Sequence, residues 1–301
     1  MLKGQFADRG IAVQILLLLF LALLGTMLFT GLGMGIAASI YDISSQEVLG
    51  IFTSISNPAG REIFKIIQGF STIGTFLVPA VFGSYLLSHH PEEFMGVQAF
   101  PKPALFYLLL LGAVALGMGG LSDLLYQLSA ALPWPESFLS SLSASQDLMM
   151  AQYESILAMN GFLDFMQVFL VMALLPAVAE EALFRGCLQP LIQRYLNTHI
   201  AIWLTAFLFA LLHQQYLAFL SIFFLGAVLG YLREWTGSIW VPTLLHLVNN
   251  GSIVIAVFFF DLDYRQNLES ELQGSLLESG LLVAVLMVAL LAIERISRKA
   301  R

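Results

Sequence analysis

Long apolar stretches separated by short polar breaks run along the whole 301-residue chain. A helix crosses a bilayer with about 17–25 predominantly apolar residues, and eight stretches approach that length: 11–40, 66–88, 103–122, 162–193, 199–215, 217–233, 239–260 and 277–294. The pattern predicts an all-α polytopic transmembrane helical bundle with about eight spans. The first and fourth stretches exceed what a bilayer needs and are expected to tilt, kink or extend into the interface. Pro79 and Pro176 are expected kink sites. Gly31-x-x-x-Gly35 and Gly226-x-x-x-Gly230 are spacings at which helices pack closely. The polar stretch Met1 to Arg9 is short, and the run after it is too long for a signal peptide, so it reads as a retained first span.

Three segments follow: 1–160, with spans one to three and an outer connection; 161–260, with spans four to seven; and 261–301, with an outer loop, the last span and a basic tail. The connection from Asp123 to Gly161 is broken by Pro133-Trp134-Pro135, and its mildly apolar part, 138–159, is expected to form interfacial helices with Trp134 at headgroup depth.

Composition agrees. The chain is 58% hydrophobic and 11% charged, against about 25% charged in soluble domains. A single cysteine, Cys187, excludes an internal disulfide and is expected to serve packing. The net charge of −7 is spread over acidic loops without a basic stripe, which argues against nucleic acid as a partner. With eight spans both termini fall on one side, which collects Lys3, Arg9, Lys102, Arg194, Arg233, Arg295, Arg298, Lys299 and Arg301; the opposite loops are mostly acidic. That asymmetry places both termini in the cytoplasm.

Polar residues inside three spans change the picture. Glu180, Glu181 and Arg185 interrupt span four; His213 lies in span five; His246 and Asn250 lie in span seven. Ionisable groups at that depth cost about 3 kcal/mol or more and persist where they are paired or used. At 1.5 Å per residue, Glu180 is roughly 20 Å from the cytoplasmic end of its helix, and the others lie at overlapping levels. Residues four apart share a helix face, whereas adjacent ones point about 100° apart. Glu181 and Arg185 are therefore the natural ion pair, leaving Glu180 on another face. His246 and Asn250 share one face, and Phe209 stands beside His213. Pro176 and Pro242, each four residues before an acting residue, are expected to loosen the helix there.

A carboxylate, two imidazoles and an amide suit attack of water on a carbonyl: Glu180 as base, His213 orienting the water or sharing the base role, His246 and Asn250 donating to the oxyanion. Glu180, His213 and His246 could instead hold zinc with an open position, although no His-Glu-x-x-His stretch demands it and no cofactor is required. There is no Gly-x-Ser-x-Gly stretch, and Cys187 has no base at helical spacing. Intramembrane Glu and His also build proton relays, so a proton-coupled transporter is the alternative. A non-catalytic scaffold that binds a membrane partner is a third.

Glu180-Glu181-x-x-x-Arg185, Phe209-x-x-x-His213 and His246-x-x-x-Asn250 resemble, in order, the three motifs of the CPBP family, the CAAX-processing and bacteriocin-processing (Abi) intramembrane endopeptidases. The resemblance covers about 160–260, and none of its motif positions is substituted. It implies that Glu180 and His213 activate the water, that His246 and Asn250 stabilise the oxyanion, and that Glu181 and Arg185 support Glu180. The resemblance leaves the substrate open, and a membrane-associated peptide or protein is the expectation. Short loops and the lack of an organellar signal suit a bacterial inner membrane, where a prenylated CAAX protein is not expected.

Overall fold

A computed structural model describes residues 2–51, 58–97, 99–136, 149–215, 218–263 and 275–300. Among them every regular element is helical. Among the described residues, seven helices are long and apolar enough to cross a membrane: α1 (Ile11–Tyr41), α2 (Ala59–Leu87), α3 (Ala104–Ser129), α4 (Phe162–Gln193), α6 (Phe219–Thr236), α7 (Trp240–Phe260) and α8 (Leu276–Lys299). The eighth apolar helix, α5 (Thr198–His213), has 16 residues. Large side chains such as Leu16, Leu19, Leu23 and Met27 on α1 stand exposed, an arrangement suited to lipid and unfavourable in water. The chain is an integral, multi-pass membrane protein.

The connection after α3 begins later than the pattern suggests. α3 continues to Ser129, where the Trp134 indole donates to the Ser129 carbonyl at 2.7 Å. Residues 149–157 are helical and 158–159 are not, while 138–148 of the expected interfacial stretch lie outside the described residues.

The helices form two compact units that cut across the three sequence segments: residues 1–95, 148–187 and 250–262 in one, and 96–147, 188–249 and 263–301 in the other. In the first unit α2 packs against both α1 and α4. Gly25 and Gly74 let α1 and α2 meet backbone to backbone, since a Cβ on either would overlap the other's carbonyl oxygen. Thr26 and Thr75 share a hydroxyl hydrogen bond of 2.8 Å beside that contact. On the other side of α2, Lys65 is 5% exposed and reaches Asp164 at 2.6 Å and Gln167 at 2.8 Å, both on α4. In the second unit, Tyr107, Leu111 and Val114 of α3, Leu229 and Leu232 of α6, Leu245 of α7 and Ile293 of α8 share one buried core.

Gly31 and Gly35 do not serve helix packing among the described residues: a Cβ on either meets open space. Gly25 and Gly33 make the close approaches of α1 instead, because the packed face of that helix is set by where α2 lies. Gly230 does sit close to a neighbour, with Ile202 of α5 and Gln189 of α4 against it. Gly74→Ala should cost about 1–3 kcal/mol through overpacking and lower the melting temperature in detergent. Gly31→Ala is the control and should leave it unchanged; equal melting of the two variants would refute the contact.

Among the described residues, three turns are π-helical: Ile73–Leu77, Leu170–Leu174 and Phe184–Leu188. Each ends two residues before a proline, Pro79, Pro176 and Pro190. A proline inside a helix lacks its N–H and crowds the carbonyl four residues back. Widening the preceding turn to π geometry moves that carbonyl away while keeping the helix continuous.

Candidate active site

The second and third π turns bracket the regular α-helical stretch Leu175–Leu183, which carries both glutamates. Arg185 Nη1 donates to Glu181 Oε1 at 2.8 Å, and both side chains are fully buried at 0% exposure. Arg185 also lies beside the Phe184 ring, 5.8 Å from its centroid. Glu180 is only partly buried, as expected for a neighbour turned about 100° away from the pair. The irregular turn relieving Pro176 falls before the proline, so Glu180 sits on a well-formed turn rather than a loosened one. Cys187 is buried, with its Sγ 3.4 Å from where a Cβ on Gly83 would stand.

In the second unit the two histidines meet at one aromatic ring. Phe209 is 1% exposed. Its ring centroid is 4.5 Å from that of His213 and 5.7 Å from that of His246, the latter edge to face at 83°. His213 Nδ1 lies 2.8 Å from the Phe209 carbonyl oxygen. A carbonyl only accepts, so Nδ1 carries the proton, and in the neutral ring Nε2 is the basic nitrogen.

His213 sits at a helix end rather than within a span. It is the last residue of α5, followed by Gln214 in the left-handed conformation at φ 55°, whose N–H reaches the Leu211 carbonyl. Sixteen residues span about 24 Å, less than the roughly 30 Å of a hydrocarbon core. α5 therefore ends at the imidazole, two residues earlier than the hydrophobic pattern suggests, because the polar pair Gln214-Gln215 ends the apolar run. A helix C-terminus carries partial negative charge and favours a ring nitrogen that donates toward it.

His246 and Asn250 are one turn apart on α7; His246 is 2% exposed and Asn250 partly buried. Pro242 does not loosen this helix. It lies in the first turn, where the residue four positions earlier, Ser238, precedes the helix. Gly251, next to Asn250, abuts α4: a Cβ there would stand 2.9 Å from Phe169 Cε2 and 3.8 Å from Ala173 Cβ. Phe165 of α4 stacks on Phe258 of α7 at 4.8 Å between centroids. In the first unit, Asn250 is thus fixed on a helix that packs against the glutamate helix. Neither Gly251 nor Pro190 stood out in the sequence, although a glycine beside a polar intramembrane residue is a readable signal of close packing.

The candidate catalytic and supporting residues fall within one recognised segment. Residues 162–252 match the family model for type II CAAX prenyl endopeptidase Rce1-like proteins. This segment is an Rce1-like domain. It contains Glu180, Glu181, Arg185, Phe209, His213, His246 and Asn250. A stretch of 92 residues is 39% identical to the uncharacterized protein YpbD of Bacillus subtilis (strain 168), covering 29% of this chain and 44% of that protein. The chain thus aligns with less than half the length of that relative. No solved structure matches.

Among the described residues, no three His, Cys, Asp or Glu side chains are grouped so as to hold a metal ion.

Proposed function

We propose that this chain is an intramembrane endopeptidase that hydrolyses a peptide bond in a membrane-associated peptide or protein. The observation that carries the reading is the pair of imidazoles held on Phe209 inside the Rce1-like domain, with the His213 tautomer fixed by the Phe209 carbonyl. Glu180 accepts a proton from the attacking water. His213, through Nε2, accepts a hydrogen bond from the same water and orients it. The water oxygen bonds to the scissile carbonyl carbon, and His246 and Asn250 donate to the oxygen that becomes negative. Collapse of the tetrahedral intermediate breaks the C–N bond, and the proton held by Glu180 passes to the leaving amine. Glu181 and Arg185 neutralise each other and fix the rotation of α4, which keeps Glu180 on its own face.

The basic residues near the helix ends favour cytoplasmic termini, and the short loops suit a bacterial inner membrane. The test of the mechanism is cleavage of a membrane-peptide library by purified wild type, His213→Ala and His246→Ala. Both variants should lose cleavage by about 10²-fold or more while melting near wild type. Wild-type rates in both would overturn the assignment. Exhaustive chelation is expected to leave the wild-type rate intact; loss of cleavage restored by added zinc would replace the glutamate-activated water with a metal-bound one.

A further inference from the structure

Where α5 begins and α6 and α8 end, the second unit holds a cavity of about 210 Å³ lined by Thr198, His199, Tyr231, Glu234, Trp235 and Arg298. None of these residues belongs to the candidate active site, since His213 lies at the opposite end of α5. The cavity has a built interior. Tyr231 and Trp235 pack ring on ring, with centroids 5.4 Å apart and planes tilted by 32°. The Tyr231 hydroxyl and His199 Nδ1 are 2.8 Å apart, which leaves Nε2 of that imidazole for another partner. Glu234 accepts a 2.9 Å hydrogen bond from Gln193 Nε2, and a carboxylate has capacity for more. Arg298 pairs with Glu294 at 2.6 Å while its side chain is 75% exposed; a guanidinium has five donors, so that pair does not exhaust it.

One small cavity therefore offers an arginine with an imidazole and a hydroxyl, and a carboxylate with two aromatic rings. The first group suits a phosphate and the second an ammonium. An aromatic seam leads away from it along α5 and α6. Trp203 lies 6.4 Å from Tyr231 and 5.3 Å from Phe223; Phe207 lies 6.4 Å from Phe223 and 5.8 Å from Phe219, all between ring centroids. Trp203 and Phe207 are 36% and 43% exposed, so the seam is open to lipid. From Phe219 to Tyr231 it runs about 18 Å along the helix, close to the roughly 15 Å of one hydrocarbon leaflet. Tyr and Trp at the mouth mark the membrane–water boundary.

We propose that the cavity and seam bind one aminophospholipid. Its phosphodiester rests on Arg298, Thr198 and His199, its ammonium on Glu234 and the Tyr231 and Trp235 rings, and an acyl chain along Trp203, Phe223 and Phe207. The proposal is independent of whether the chain cleaves peptides.

The test is native mass spectrometry of the full chain in detergent, titrated with phosphatidylethanolamine, phosphatidylglycerol or water-soluble glycerophosphoethanolamine. Wild type should retain one phosphatidylethanolamine with about tenfold preference over phosphatidylglycerol. Glu234→Gln should erase that preference, Arg298→Gln should weaken both lipids, and Phe207→Ala should weaken the lipids without changing which is preferred. Equal binding of the two lipids by wild type would overturn the proposal, as would unchanged binding in the two charge variants. Soluble headgroup binding as tightly as the lipid would assign the cavity to a free phosphate compound instead.

Discussion

Glu180→Gln is expected to lower the rate of peptide cleavage by about 10²–10⁴-fold, the usual worth of a general base, while the protein melts near wild type. The substitution keeps the size of the side chain, removes its charge and its ability to take a proton, and replaces one acceptor oxygen with a donating amide nitrogen. Glu180 is partly buried and lies outside the Glu181–Arg185 contact, so the variant leaves that pair in place. Comparing the termini of membrane proteins in cells carrying wild type or Glu180→Gln would measure the loss and identify substrates together. A verified substrate cleaved at the wild-type rate by Glu180→Gln would sink the mechanism. Glu181→Gln separates the two glutamates: it should lose stability first, because Arg185 is fully buried beside it.

Arg185→Met should destabilise the protein by about 3–5 kcal/mol, the cost of leaving a buried charge without its partner. Glu181 would then be the uncompensated group, at 0% exposure on a helix in a membrane. The double variant Glu181→Gln with Arg185→Met should recover most of the loss, because a buried ion pair replaced by groups of similar volume often costs little. Denaturant or thermal unfolding in detergent would read both. If Arg185→Met unfolds with wild type, the pair does not hold the helix. If the double variant is as unstable as the single one, packing of the guanidinium against Phe184 outweighs its charge.

Much of the candidate site was legible because intramembrane charge is costly and its spacing is simple. Glu181 and Arg185 stand four apart in an otherwise apolar run, and the structure contains that ion pair. Phe209 and His213 share the same spacing, and their rings are in contact. His213 as the end of a helix was less legible, because a hydropathy pattern has no way to show where a left-handed cap falls. The effects of the prolines were only partly legible for a related reason. A proline identifies a disturbed carbonyl but leaves open whether the helix kinks, widens or, as at Pro242, simply begins there.

The sequence by itself determined an all-helical membrane protein, the positions of most of its spans within three residues, with the start of α2 and the ends of α3 and α8 five to seven residues out, and the residues that carry charge at depth. These follow from transfer free energy and helical period, which are properties of short stretches. Only the tertiary structure decided that Gly25 and Gly74, rather than Gly31 and Gly35, let helices touch. Only it showed that one buried phenylalanine touches both imidazoles. Contacts between helices depend on which faces meet, and that is settled by packing of the whole assembly rather than by any single stretch.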